Sequence, residues 1–363
     1  MNNQCVNLAP KNISRIAFLD YLRIFAFLSV LVGHLFFGDL QQLFSDPSIH
    51  ATPRFLVGLL MPLCESGGAG VVVFFLISGY IITSVLQSEN TVSFLVKRFF
   101  RIYPLYVFAV LSQFGLEWWF SGANWPLLAK SKVIPQLLLL GDFYGNGYAL
   151  GGVEWTLRVE LYFYLLMAAF NSFGLIKIRN KYLPLILFCI LLALVFFAPL
   201  RRQVGFSHGY ISAFGPFLLL GAFFFLSEKR QITFVTFAAM LLFVLGAHYK
   251  IIATHVPSLM NMHFATLGVC IFTLFWLLRD RFSSKPIIVF LSSLAYSVYL
   301  THNWLFNLFK KVTQDVKFPV SEDIIALLFL FFVCYLIMRF IEVKGINAGK
   351  IVINKFPRHL KQI

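Results

Sequence analysis

Apolar residues gather into ten runs separated by polar or basic breaks, at about 17–37, 68–87, 102–121, 153–173, 183–199, 210–227, 232–248, 263–278, 286–308 and 324–342. A bilayer crossing takes ~20 largely apolar residues in a helix, so the pattern predicts an all-α, polytopic transmembrane helical bundle of about ten spans. Between the third and fourth runs, Val133 to Gly141 is apolar but too short to cross, and reads as a re-entrant or interfacial piece. The first run is the unusual one, because IAFLDYLRIFAFLSVLVGHLFF carries Asp20, Arg23 and His34. A charge at mid-bilayer costs roughly 2.5–3.5 kcal/mol, so such residues usually face a bundle interior or a wet cavity. At ~100° per residue, Arg23 and His34 point the same way from one helix face, roughly 16 Å apart along the axis. Snorkelling of Arg23 and capping by His34 is the plainer alternative.

Charge sets the expected orientation. With the N-terminus inside, Lys11, Arg15, Lys97, Arg98, Arg101, Lys177, Arg179, Lys181, Lys229, Arg230, Arg279, Arg281, Lys285, Lys344, Lys350, Lys355, Arg358 and Lys361 fall on the cytoplasmic side. Arg54, Lys130, Lys132, Arg201, Arg202, Lys250, Lys310, Lys311 and Lys317 fall opposite. Eighteen against nine predicts both termini in the cytoplasm. The expected division is a transmembrane domain over 1–345 and a basic cytoplasmic tail over 346–363.

Composition agrees with a membrane domain: 363 residues, 59% hydrophobic, 12% charged, 44 Phe and a mean hydropathy of +0.81. The net charge of +15 is then mostly the positive-inside bias, which leaves nucleic-acid binding without support. The five cysteines show no C-x-x-C spacing and predict no disulfide framework. The first run is too long and too charged for a cleavable signal peptide and reads as a retained span.

Four further segments carry candidate chemistry. In KRFFRIYP, Arg98 and Arg101 are i,i+3 neighbours, shaped to grip phosphate at the cytoplasmic entrance of the third span, or else an ordinary anchor. In ESGGAGVVVFFLISGYIIT, the Gly-rich entry permits close backbone approach to a ligand, whereas Ser78 and Gly79 suit helix packing. In GGVEWTLRVELYFYLL, Glu154 and Arg158 can neutralise each other at i,i+4. Glu160 is then left without a local partner in the outer half of its span, either as an acid–base group or bridged to a cation elsewhere. In LSSLAYSVYLTHNWLF, His302 stands near an outer span end, as a functional or an interfacial histidine.

Taken together, five segments resemble the acyltransferase-3 family of integral-membrane acyltransferases. They are LDYLRIFAFLSVLVGH, GVVVFFLISGYIIT, FLVKRFFRIYP, WTLRVELYFY and AYSVYLTH, in order from residue 19 to 302. Tyr80 replaces the usual Phe and Thr156 the usual Ser. Leu161 stands where a second acidic residue is common, which weighs against a paired-carboxylate mechanism. The resemblance implies an acyl-CoA donor, most commonly acetyl-CoA, reached from the cytoplasm of a bacterium whose inner membrane holds the protein. It implies an acceptor hydroxyl on a carbohydrate or glycolipid at the outer side. His34 is then the expected base or acyl carrier, oriented by Glu160 or His302. Arg23, Arg98 and Arg101 are expected to hold the donor's phosphates or its thioester oxygen. A transporter or flippase of a lipid-linked sugar or small anion is the competing class, and a non-catalytic scaffold a third; neither accounts for the motifs.

Overall fold

A computed structural model describes residues 15–121, 133–141, 150–177, 180–200, 209–260, 262–314, 316 and 321–356. Of the residues used above, Cys5, Lys11, Lys130, Lys132, Arg179, Arg201, Arg202, Lys317, Arg358 and Lys361 lie outside the described set. Every regular element within it is helical. In chain order these are α1 (Ala17–Leu35), α2 (Phe37–Ser45), α3 (Ala51–Cys64), α4 (Gly68–Val85), α5 (Thr91–Ser121), the single turn α6 (Ile134–Leu137) and α7 (Glu154–Ser172). They continue with α8 (Leu183–Phe196), α9 (Tyr210–Glu228), α10 (Phe234–His255), α11 (Phe264–Leu277), α12 (Pro286–Thr313), α13 (Glu322–Ile337) and α14 (Val343–Lys355).

Each of the ten expected spans therefore holds a helix, but among the described residues five stretches are both long and apolar enough to cross a membrane: Ala17–Leu35, Ala51–Val85, Tyr210–Glu228, Phe234–His255 and Glu322–Lys355. The shortfall has physical causes. Helices α8 and α11 have 14 residues each, about 21 Å of rise against a hydrocarbon core of ~30 Å. Helices α5, α7 and α12 are long enough, but polar residues dilute their apolar runs, Gln113 and Glu117 in α5, Arg158 and Glu160 in α7, and His302 and Asn303 in α12.

Three boundaries differ from the sequence expectation. Helix α5 begins at Thr91, eleven residues before residue 102, because the Asn90 side chain accepts the Ser93 N–H at 2.7 Å and caps it. Arg98 and Arg101 thus sit inside a helix rather than at its entrance. The stretch 37–64, read as an outer connection, folds into α2 and α3, and the side chain of His50 accepts from Thr52 N–H at the start of α3. Helix α13 passes through a π-helical turn, Met338–Glu342, straight into α14. The segment from residue 346 starts inside that helix, and Gly345 and Gly349 pack against Pro104 and Phe100 of α5. Val133 to Gly141 folds back onto the bundle, where Gln136 is buried and its carbonyl accepts from the Tyr106 hydroxyl at 2.5 Å.

Helix α4 is the centre of the bundle, with α1, α9 and α11 packed around it. Its sequence explains why. Lipid tails are as apolar as Leu, so helices in a membrane gain from close backbone contact, and small residues permit it. A methyl at Gly79 would fall 1.8 Å from the Leu218 carbonyl oxygen on α9, and one at Gly221 of α9 would fall 2.2 Å from the Leu76 carbonyl. The two helices lie backbone to backbone through this reciprocal pair. Gly79→Ala is expected to lose about 3 kcal/mol or more by overpacking. Gly246→Ala on α10, where nothing lies within 4 Å, is expected to cost nothing. Thermal unfolding of the two purified variants beside the parent measures the contrast.

Candidate functional site

The polar residues of the bundle fall into two groups. The first lines a cavity of about 600 Å³ between α1, α4, α5, α7, α12 and the π turn. Arg23, Arg98, Arg101 and Glu160 all face it, joined by Arg15, Ser78, Tyr164, Ser292, Tyr296, Tyr299 and Glu342. Of the six residues singled out for function, four therefore share one chamber.

Asp20 organises the α1 side of that chamber. Its carboxylate is 1% exposed and accepts from Arg15 Nε at 2.5 Å, Arg23 Nη1 at 2.9 Å and Ser292 Oγ at 2.7 Å. A carboxylate this deep is stable only when its lone pairs are filled, preferably by cations. The i,i+3 spacing within LDYLR puts Arg23 within reach, and the pairing aims the guanidinium into the cavity. Arg15 also donates to the Val289 carbonyl at 3.3 Å, tying the start of α1 to α12.

On the opposite wall, Glu160 does have a local partner. Its Oε1 accepts from the Ser78 hydroxyl at 2.6 Å and from the hydroxyl of Tyr164, one helical turn on. Arg98 lies 5.5 Å over the ring of Tyr164 and 5.5 Å over that of Phe94, a stacked position open to guanidinium but poorly suited to Lys. Ser78 serves polarity while its neighbour Gly79 serves packing. Glu154 accepts the Leu150 N–H at 2.7 Å and Arg158 donates to the Leu139 carbonyl at 2.8 Å, so both brace the loop segments before α7.

The second group is the histidine pair. His34 Nδ1 and His302 Nε2 are 2.9 Å apart, with the rings stacked at 27° and 5.1 Å between centroids. His302 is 1% exposed, whereas His34 is open to the exterior. His302 Nδ1 lies 3.0 Å from the Val298 carbonyl and 2.9 Å from that of Tyr299. Carbonyls only accept, so this nitrogen carries the proton, and in the neutral ring Nε2 is the acceptor. His34 Nδ1 must then donate, which leaves the lone pair of His34 on Nε2. His302 fixes the tautomer of His34.

Glycines shape the floor beneath His34. A methyl at Gly33 would fall 2.0 Å from the Cys64 carbonyl, and Gly67, at φ +64°, would press one against Val30. Ser29 Oγ donates to the Leu63 carbonyl at 2.6 Å and accepts the Gly70 N–H at 3.1 Å. The Gly-rich entry to α4 therefore brings backbone close to α1.

Glu160 contacts Ser78 and Tyr164 in the arginine chamber, whereas the contact of His34 is with His302. Tyr299 stands between the two groups. Its ring centroid is 6.4 Å from His302 and 5.5 Å from Phe74, and its hydroxyl shares a 2.7 Å hydrogen bond with Thr156 on the cavity wall. Sequence reasoning passed over Tyr164, Tyr299 and Glu342. The first two lie at helical spacing from Glu160 and His302, and the third is an acid at the end of an apolar run, so each left a signal.

An acyltransferase domain model matches residues 16–339 of this chain. The chain is 30% identical over 164 residues to a protein named acyltransferase MdmB from Streptomyces mycarofaciens, covering 43% of this chain and 39% of that protein. It is also 30% identical over 164 residues to nodulation protein 10 from Rhizobium leguminosarum bv. viciae, covering 40% of this chain and 41% of that one. Both matches span about two fifths of the relatives' own length. No solved structure matches the chain.

Removing the charge of Asp20 strands Arg23 beside a neutral amide. Asp20→Asn is expected to lower stability by about 2–3 kcal/mol, read as an earlier thermal transition of the purified protein.

Proposed function

The chain belongs to the acyltransferase-3 family, and from that membership we propose that it moves an acyl group, acetyl first, from cytosolic acyl-CoA to a hydroxyl of a carbohydrate or glycolipid acceptor across the membrane. The observation that carries this reading is the pairing of an arginine-lined cavity with a histidine pair just beyond it. Arg23, Arg98 and Arg101 suit the phosphates of CoA, because guanidinium forks match phosphate oxygens two at a time. The cavity holds the nucleotide, and the pantetheine arm carries the thioester past Phe74 and Tyr299 towards His34. Ten spans with both termini in the cytoplasm, in a bacterial inner membrane, complete the reading. The basic loops then face the donor, and the exposed His34 faces the acceptor.

His34 Nε2 takes the proton of the acceptor hydroxyl as its oxygen attacks the thioester carbonyl. The C–S bond breaks, the thiolate leaves, and the proton passes to sulfur, giving an ester and free CoA. His302 contributes by holding the tautomer that leaves Nε2 free and by accepting the Nδ1 proton in a hydrogen bond that supports the imidazolium as it forms. Acceptors in keeping with this chemistry include O-antigen, exopolysaccharide and lipo-oligosaccharide. The relative named acyltransferase MdmB supports acyl transfer as the reaction type.

The test is release of CoA and transfer of label from labelled acetyl-CoA in inside-out membrane vesicles that contain acceptor. His34→Ala is expected to lose at least about 10²-fold in rate. His302→Gln, which keeps a polar side chain but no imidazole, is expected to lose rate and to shift the pH profile, as a merely structural residue would not. Full activity in inserted His34→Ala protein overturns the assigned base. No CoA release by the parent protein overturns the donor and favours transport.

A further inference from the structure

Glu342 has no part in the mechanism above. It ends the π turn between α13 and α14, is 6% exposed and faces the arginine cavity. A π turn adds a residue to the helical repeat and re-aims the side chains around it, and such turns gather at functional sites. Here it turns a carboxylate inward from an otherwise apolar helix. Ser297 of α12, itself fully buried, donates to Glu342 Oε2 at 3.4 Å. Glu342 and Arg101 line the same cavity, and Gly345, one turn after Glu342, packs on Phe100 and Pro104, which flank Arg101. Each arginine of the Arg98/Arg101 pair thus has an acid from another element near it: Arg98 lies over Tyr164, whose hydroxyl binds Glu160, and Arg101 is flanked by the turn that carries Glu342. Arg23, Arg98 and Arg101 line one cavity, and an unopposed cluster of guanidiniums would push itself apart.

We propose that Glu342 is the resident counter-charge of Arg101, which holds that guanidinium in place between turnovers and weakens the cavity's grip on the polyphosphate of the departing CoA. The proposal rests on the donor reading above. An anion entering beside Arg101 must work against the Glu342 carboxylate, and at an effective dielectric of ~20 two unit charges several ångströms apart still interact by more than one tenfold step in binding. Glu342 is a tuning residue for release, not a group that touches the reacting atoms.

CoA binding to the purified full-length protein, measured by titration calorimetry in lipid nanodiscs, tests it together with the steady-state constants for acetyl-CoA. Glu342→Gln is expected to bind CoA at least about fivefold more tightly, with lower KM and lower kcat because product leaves more slowly. Glu342→Asp keeps the charge but draws it back, and is expected between parent and Glu342→Gln; it serves as the test should the glutamine variant fail to fold. In an Arg101→Gln background the effect of Glu342→Gln is expected to shrink below about twofold, since coupled residues are not additive. Unchanged or weaker CoA binding by both Glu342 variants, with CoA binding to the parent intact, overturns the counter-charge. A parent protein that binds no CoA overturns the donor reading, and the proposal with it.

Discussion

A buried carboxylate with both oxygens engaged is the constraint on which this bundle depends. Asp20 gathers Arg15, Arg23 and Ser292 at one point, joining the first helix to α12, which comes more than 250 residues later. In a low-dielectric interior the bare charge would cost several kcal/mol, so the partners are obligatory. At the other end of the same two helices, His34 meets His302. Between these polar contacts, Phe27 and Leu31 of α1 pack with Leu294, Ala295 and Val298 of α12 in one apolar cluster. Both contacts advance along both chains, so α1 and α12 run parallel. One seam sets the arginine end and the histidine end in a single frame.

That frame divides the chemistry. Arginines and carboxylates share a broad cavity, while the histidines sit beyond Tyr299 with one ring buried and the other open. Phosphate recognition needs several cations in a partly wet space, whereas a general base needs a fixed tautomer and a supported proton. Keeping them apart lets each environment suit its task. A long, flexible donor that can reach from one to the other fits such a separation.

Much of this was legible in the sequence because the informative residues break an apolar background. Arg23, Arg98, Arg101, Glu160, His34 and His302 all stand out in hydrophobic runs, and the structure brings each of them to one of the two groups. What could not be read was the third dimension of the seam. Glu160 seemed to lack a local partner because Tyr164 and Ser78 look like packing residues in an aromatic, small-residue stretch. The early start of α5 was hidden by the basic residues themselves, which resemble a loop until Asn90 is seen capping the helix. Glu342 closes the last apolar run without standing out, since hydropathy cannot register the π turn that aims it inward.

The reciprocal glycine contact between α4 and α9 bears on how such a protein avoids leaking. Helices separated only by bare backbone cannot slide or tilt without opening a gap that no side chain can refill, so this pair acts as a stiff pillar. Helix α1 joins the same pillar where Gly70 of α4 lies against the Ala26 carbonyl, so three helices share one stiff core.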